Sequence, residues 1–408
     1  MENIAASASA VRGVRTSIVG DSDAIPCPVG PRLITYVDHT ASGRAHAGLE
    51  AYITDQVLPL YANTHSVTTA TGLQSEHYMS EARGIIREAV NASDKDDAVL
   101  FCGRGASAAS ALLAHLLLGT SHGGAILSGS SEGTSFSCSF PSCHRAFSSS
   151  SELLLHARTH PDGDQSAHAA VAAAAGSLQT SALPLSNQPH WPNRSVVVVV
   201  GPYVHHSSLL PWRERGAQII HVPEAPGCTG GGVDLAALDA ILVEQRGLQR
   251  GTDTSAGTPL CSIVGVFTVA SNITGACSQV DAVTALCHAR GALAVWDAAA
   301  AISHMRLDMN PVAPGADARA TAKDALYFSC HKLAGGPSTP GVLVVKRALL
   351  RGGAPSLPGG GTVMFVRADG TPLYHANDAE REEGGTPDVV AAVRAGLCFQ
   401  LMRAVGLR

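Results

Sequence analysis

Positive charge is in short supply in this chain. Its 408 residues carry 28 Lys and Arg against 33 Asp and Glu, a formal net charge of −5. A protein built mainly to grip phosphate backbones is normally basic, so this balance argues against a dedicated nucleic-acid binder. Also lacking is any apolar run of the roughly 18 residues that a bilayer span requires. The longest strand-like run, 195–200, has the length of a buried strand, and no membrane association is expected. The opening segment MENIAASASAVRGVRTSIVG lacks the apolar core of a secretory signal. It reads as a loose, disordered leader over 1–30 or, given Arg12 and Arg15, as an organelle transit peptide. Charged residues make up only 15% of the chain while hydrophobic ones reach 45%, which supplies a large core and excludes disorder throughout.

What is present is length, cysteine and alternation. A chain of 408 residues predicts one large or two medium domains. Ten cysteines scattered over that length point to a reducing compartment, with thiols buried, metal-bound or free. A cytoplasmic location is expected, with an organelle as the alternative. Strand-like runs fall at 96–102, 195–200, 261–270, 292–297, 325–329 and 341–345. Helix-like runs lie between several of them, such as the Ala/Leu stretch to Leu118 and 280–290. Strands alternating with helices predict an α/β fold with a largely parallel sheet flanked by helices. No internal repeat is visible. A Ser-, Ala- and His-rich stretch interrupts the alternation, giving a leader (1–30), a first part (31–128), an insertion (129–193) and a second part (194–408).

The insertion holds FSCSFPSCHRAFSSSSELLLHARTH, 136–160. Four residues separate Cys138 from Cys143, twelve separate Cys143 from His156, and three separate His156 from His160. That is the ligand spacing of a Cys2His2 zinc site. Phe136, Phe147 and Leu153 stand where a small ββα finger places its core, and so short a unit needs its metal to fold. The base-reading positions of the finger helix fall on Ser149, Glu152 and Leu155. None is the Arg or Asn that pairs bidentately with a purine, and the following PDGDQ is acidic. A structural role or a protein contact is the expectation, rather than sequence-specific DNA binding.

A second constellation gathers around the strand ends. Lys332 closes SCHK after the strand 325–329, before a Gly-rich turn. Asp297 follows ALAVW, Asn272 follows 261–270, and His205 and His206 follow the valine run. In a parallel sheet the residues beyond the strand C-termini line the ligand crevice. His, Asn, Asp and Lys at one edge are what a pyridoxal phosphate site needs: a lysine for a Schiff base and an acid to keep the pyridine nitrogen protonated. The turn Gly105-Ala106-Ser107 opens a helix whose free N–H groups can hold phosphate. Each residue has a plainer alternative: Asp297 and Ser107 as helix caps, Asn272 as a turn former, Cys330 as core packing.

Several segments resemble the class V aminotransferase family of pyridoxal-phosphate enzymes, most of all its cysteine-desulfurase branch. They are YVDHTASGR (36–44), LPLYANTHS (58–66), HHSSLLPW (205–212), SNITGA (271–276), WDAAAA (296–301), SCHKLAGGPSTPG (329–341), GGGT (359–362) and REEGGTPD (381–388). The resemblance implies a type I pyridoxal-phosphate transferase fold carrying the finger as an insertion. It implies that Lys332 bears the cofactor and shuttles the proton. Asp297 would pair with the pyridinium, His205 stack on the ring and Asn272 touch the ring hydroxyl. Ser107, Ser329 and His331 would hold the phosphate, and Thr362 would reach the phosphate of a partner subunit in a homodimer. Arg381 would play a structural part.

Two departures accompany it. Where the family often has a glutamine three residues after the aspartate, this chain has Ala300. The family's small C-terminal domain, with its substrate-binding arginine and persulfide-bearing cysteine, has no counterpart here and is expected to be missing. Three readings follow. The first is an enzyme acting on an amino acid, L-cysteine being the leading substrate, as a desulfurase or lyase. The second is a catalytically weak cofactor-binding protein whose finger contacts another protein. The third and least supported is a nucleic-acid-binding regulator.

Overall fold

In the computed structural model, the described residues are 11–118, 196–227, 232–250, 263–312, 318–350 and 354–406, with three short strand segments at 125–126, 136–137 and 146–147. A seven-stranded sheet forms the centre. Its strands are β1 (Asp97–Cys102), β2 (Val197–Val200), β3 (Gln218–His221), β4 (Ile263–Thr268), β5 (Leu293–Asp297), β6 (Ala325–Ser329) and β7 (Gly341–Lys346). They lie in the spatial order β1-β7-β6-β5-β4-β2-β3. The five strands from β6 to β3 run parallel. β7 runs antiparallel to both its neighbours, β6 and β1. The chain is therefore an α/β protein with a mostly parallel central sheet, as the alternation predicts.

The two faces of the sheet can be read from the two-residue period of the strands. Val197 and Val199 of β2 join one buried cluster with Phe267, Trp296 and Phe328. Val198 and Val200 join the other with Val266, Val295 and Tyr327. Both faces of β2 are buried, which is why this strand is a run of β-branched valines rather than an alternation.

Helices cover both faces. On the Trp296 side lie α1 (Ala70–Ala89), α4 (Leu235–Arg250), α5 (Val280–Ala289) and α6 (Val389–Ala404), contributing Ile86, Leu238, Val283 and Phe399. On the Tyr327 side lie α2 (Gly105–Leu118) and α3 (His206–Arg213), contributing Leu113 and Trp212. Thr69 caps α1 by accepting from the Gly72 N–H, and Asp388 caps α6 by accepting from Ala391. Gly396 lets α6 approach α1 closely, since a Cβ there would stand 3.1 Å from the Ala82 Cα. No described helix is long and apolar enough to cross a membrane.

Three smaller sheets lie outside the main one, the first pairing Ala24–Ile25 with Arg32–Leu33. Val363–Val366 pairs with Pro372–Tyr374, which also pairs with Ala125–Ile126. Phe136–Ser137 pairs antiparallel with Ala146–Phe147, with Phe136 opposite Phe147. The expected zinc ligands Cys138, Cys143, His156 and His160 lie outside the described residues. Within 1–30, read from sequence as a loose leader, Val19 donates to the Ala45 carbonyl and Ser17 accepts from the Ala47 N–H.

Candidate functional site

The parallel strands deliver their C-terminal ends to one edge, and a cleft of about 180 Å³ opens there. Ala106, Ser107, His205, Asn272, Asp297, Ser329, His331 and Lys332 all line it. Residues as far apart in sequence as Ala106 and Lys332 thus meet because five strand ends and the start of one helix share an edge.

Gly105 makes the junction between β1 and α2 with φ of +62°, a conformation that favours glycine. A Cβ on Gly105 would stand 2.8 Å from Ser329 Oγ, and one on Gly341 would stand 2.1 Å from the Gly105 carbonyl oxygen. These contacts bring the start of α2 against the end of β6. The Ala106 N–H donates to Ser329 Oγ at 2.7 Å. The unbonded N–H groups of a helix start, with the hydroxyls of Ser107 and Ser329 beside them, suit a phosphate.

Asp297 is the last residue of β5 and is 5% exposed. Its Oδ1 accepts from the Ala299 N–H at 2.8 Å and its Oδ2 from the Ser208 hydroxyl at 2.5 Å. Burial pushes its carboxyl up, opposed by those two hydrogen bonds and by the charges of His205 and Lys332. Among the described residues no cation stands within ion-pair distance of it. A protonated ring nitrogen entering the cleft would offset the cost of this buried charge.

Lys332 closes a short 3₁₀ turn, Cys330–Lys332, directly after β6. Half-burial lowers its ammonium pKa, while the charges of Asp297 and Asp38 act the other way. The net shift favours the neutral, nucleophilic amine. The turn is pinned from outside by the Gly43 N–H, which donates to the His331 carbonyl at 2.7 Å. Burial likewise lowers His331, with the Lys332 charge adding to it. Cys330 is fully buried and its thiol is pushed well up, so it packs rather than reacts.

His205 caps α3 with its side chain, Nδ1 accepting from the Ser207 N–H at 3.2 Å. A neutral ring then carries its proton on Nε2. Burial, then the charge of His206, lower its pKa and keep the ring neutral. His206 is exposed and lies against the His205 ring, the centroids 3.9 Å apart. Of the expected site, only Thr362 among the described residues stands apart from this cleft. It is fully buried, and its hydroxyl donates to the Gly359 carbonyl at 2.7 Å. Arg381 is buried, bonded to Asp378 and to the Leu350 carbonyl.

Sequence reading missed Thr268, Ala270, Ser207 and Ser208. The first three line the cleft. Ser208 stands behind it, three residues after the helix-capping His205, which is the one signal that could have marked it. Among the described residues no cluster of three or more His, Cys, Asp or Glu side chains could hold a metal ion.

The family model of Aminotransferase class-V matches residues 171–408, more than half of the chain. None of the curated proteins matches this sequence. Among solved structures, the apo cysteine desulfurase of Thermococcus onnurineus NA1 superposes with a TM-score of 0.61 at 19% identity, over 97% of this chain and 71% of that one. The cysteine desulfurase CsdA of Escherichia coli gives 0.52 at 18% identity, over 90% and 67%. SspA in complex with cysteine gives 0.52 at 14% identity, over 90% and 72%. At these identities the likeness is one of fold.

Proposed function

The chain belongs to the aminotransferase class-V family, and on that footing we propose that it binds pyridoxal phosphate in this cleft and acts on an amino acid as a desulfurase or lyase. The observation that carries the reading is the meeting of Lys332, Asp297 and the start of α2 at one edge of the sheet. When bound, the cofactor supplies an electron sink for bonds at the amino acid's α-carbon.

The chain's own residues supply the rest. Lys332 would hold the cofactor covalently, and its amine would move the α-proton. Asp297 holds the proton on the ring nitrogen. His205 would stack on the ring, and Asn272 would serve the ring hydroxyl. Ser107, Ser329, His331 and the N–H groups of Gly105 and Ser107 would hold the phosphate, with Ala106 tying Ser329 to the helix start. Thr362 adds a contact to the partner subunit's phosphate in a homodimer. L-Cysteine is the substrate of choice. Cysteine desulfurases share the fold, and one protein of that fold has cysteine bound.

The second reading, a cofactor-binding protein with weak turnover, is favoured by one observation. Neither arginine nor cysteine lines the cleft among the described residues, and Ala300 lines it where the family often has glutamine. In both readings the 136–160 segment is a zinc finger for structure or for contact with another protein. The antiparallel pairing of Phe136–Ser137 with Ala146–Phe147, which brackets both cysteines, supports this. The third reading, a nucleic-acid regulator, has the net charge and the finger's Ser149, Glu152 and Leu155 against it.

The test is the visible absorption spectrum of purified protein supplied with pyridoxal phosphate, beside Lys332→Ala. A band present in the first, absent in the second and shifted by L-cysteine supports an enzyme. A band that L-cysteine leaves unmoved supports the second reading, and no band in either removes the cofactor from the account.

A further inference from the structure

Asp297 of β5 and Tyr327 of β6 stand opposite one another in register. The sheet's two-residue period puts both on the face covered by α2 and α3. Ser208 of α3 reaches Asp297 from that side, donating to Oδ2 at 2.5 Å. The three residues are 5%, 0% and 1% exposed for Asp297, Tyr327 and Ser208, so protein donors rather than bulk water compensate the carboxylate.

Ser208 has committed its proton to Asp297, so its oxygen is left to accept. The Tyr327 hydroxyl lies beside those of Ser208 and Ser110. Yet neither Tyr327 nor Ser110 closes a well-formed hydrogen bond of its own. A buried hydroxyl without a partner costs stability. Tyr327 is thus an unpartnered donor on the same face of the sheet from which Ser208 reaches the carboxylate. Such a line of hydroxyls polarises along its length and strengthens when the group at its end is charged.

We propose that Ser208, backed by the Tyr327 hydroxyl, is a positioning residue that holds the Asp297 carboxylate charged and turned toward the cleft, where the ring nitrogen of pyridoxal phosphate would meet it. The last clause rests on the reading of the cleft given above. The titratable groups facing Asp297 are His205 at the α3 cap, Lys332 beyond β6 and Tyr327. His205 and Lys332 favour the charged carboxylate and burial opposes it. The Ser208 bond adds to the favourable side without adding a charge that would repel the ring.

The experiment follows the carboxyl stretch of Asp297 against pH by infrared difference spectroscopy in the cofactor-free protein. The band is assigned by its disappearance in Asp297→Asn. Ser208→Ala raises the midpoint by about one unit, and pyridoxal phosphate binding weakens by up to about tenfold as pH falls below the raised midpoint. Ser208→Thr, which keeps the hydroxyl, returns both toward the starting values. Tyr327→Phe moves the midpoint upward by less. A midpoint unmoved by Ser208→Ala and Tyr327→Phe overturns the proposal. So does an equal shift in Ser208→Ala and Ser208→Thr, because packing rather than the hydroxyl would then be responsible. Should Ser208→Ala fail to fold, an unmoved midpoint in Tyr327→Phe overturns the proposal by itself. If the midpoint shifts as expected while the unaltered protein binds no pyridoxal phosphate, the reading of the cleft fails and the hydroxyl brace stands.

Discussion

Lys332 and Asp297 meet the same physical cost with opposite consequences. Burial disfavours the charged form of each, which drives the lysine toward a free amine and the aspartate toward a neutral acid. The amine is what covalent attachment needs, whereas the aspartate needs help to stay charged. Asp297→Asn therefore has two effects. The cofactor-free protein melts at least as high as before, because a buried charge with no ion-pair partner among the described residues is gone. Pyridoxal phosphate affinity falls by one to two orders of magnitude, about 1.5–3 kcal/mol for a hydrogen bond to a charged group. Thermal melting with and without the cofactor, beside a binding titration, checks both. The place of Lys332 and Asp297 at the cleft was legible in sequence because Asp297 ends a strand and Lys332 closes the turn after one, each within a run of recognisable neighbours. Ser208 was not. Its role comes from a strand register and a helix position that bring it to Asp297 across 89 residues of chain.

At the scale of elements, the site depends on a close approach between the start of α2 and the start of β7. Gly341→Ala would put a methyl group 2.1 Å from the Gly105 carbonyl oxygen. Backbone must move to relieve that, at about 1–3 kcal/mol. The expected result is a lowered melting temperature and a phosphate cradle displaced enough to weaken pyridoxal phosphate binding. A second joint ties α5 to the turn before β6. His288 bonds Asp324 Oδ2 through Nε2 and the Ala320 carbonyl through Nδ1, both at 2.9 Å. Two acceptors around one ring favour the imidazolium, and the hydrogen bond to Asp324 is the largest cause of its raised pKa. A raised folded value means that this stabilisation is complete below the unfolded value of about 6.5 and is lost as pH rises through the folded value. His288→Gln should flatten the fall of melting temperature as pH rises above about 6.5, which differential scanning fluorimetry would show. Strands were read from sequence where β-branched runs are buried on both faces, as in β2. Gln218–His221 escaped because an edge strand of half-exposed residues carries no such run. The antiparallel direction of β7 escaped too, since GVLVVK reads alike in either direction.

For the molecule as a whole, the sheet explains how segments scattered from 103 to 332 converge on one cleft. Alternation of strand and helix made the α/β class legible, and the parallel arrangement made the location of the site legible. The proposed contact of Thr362 with a second chain draws no support from the single chain, where its hydroxyl donates to the Gly359 carbonyl. The proposed finger occupies 136–160 of the sequence. Purified protein should carry one zinc per chain, and Cys138→Ser should abolish it without altering pyridoxal phosphate binding, as metal analysis and titration of the same sample would show. The proposal that Lys332 bears the cofactor in this cleft can be tested directly. Protein loaded with pyridoxal phosphate is reduced with borohydride, digested and mapped by mass spectrometry. The account predicts one modified site, Lys332, with the label lost in Lys332→Ala. Label spread over Lys95, Lys323 and Lys346, or none at all, would contradict it.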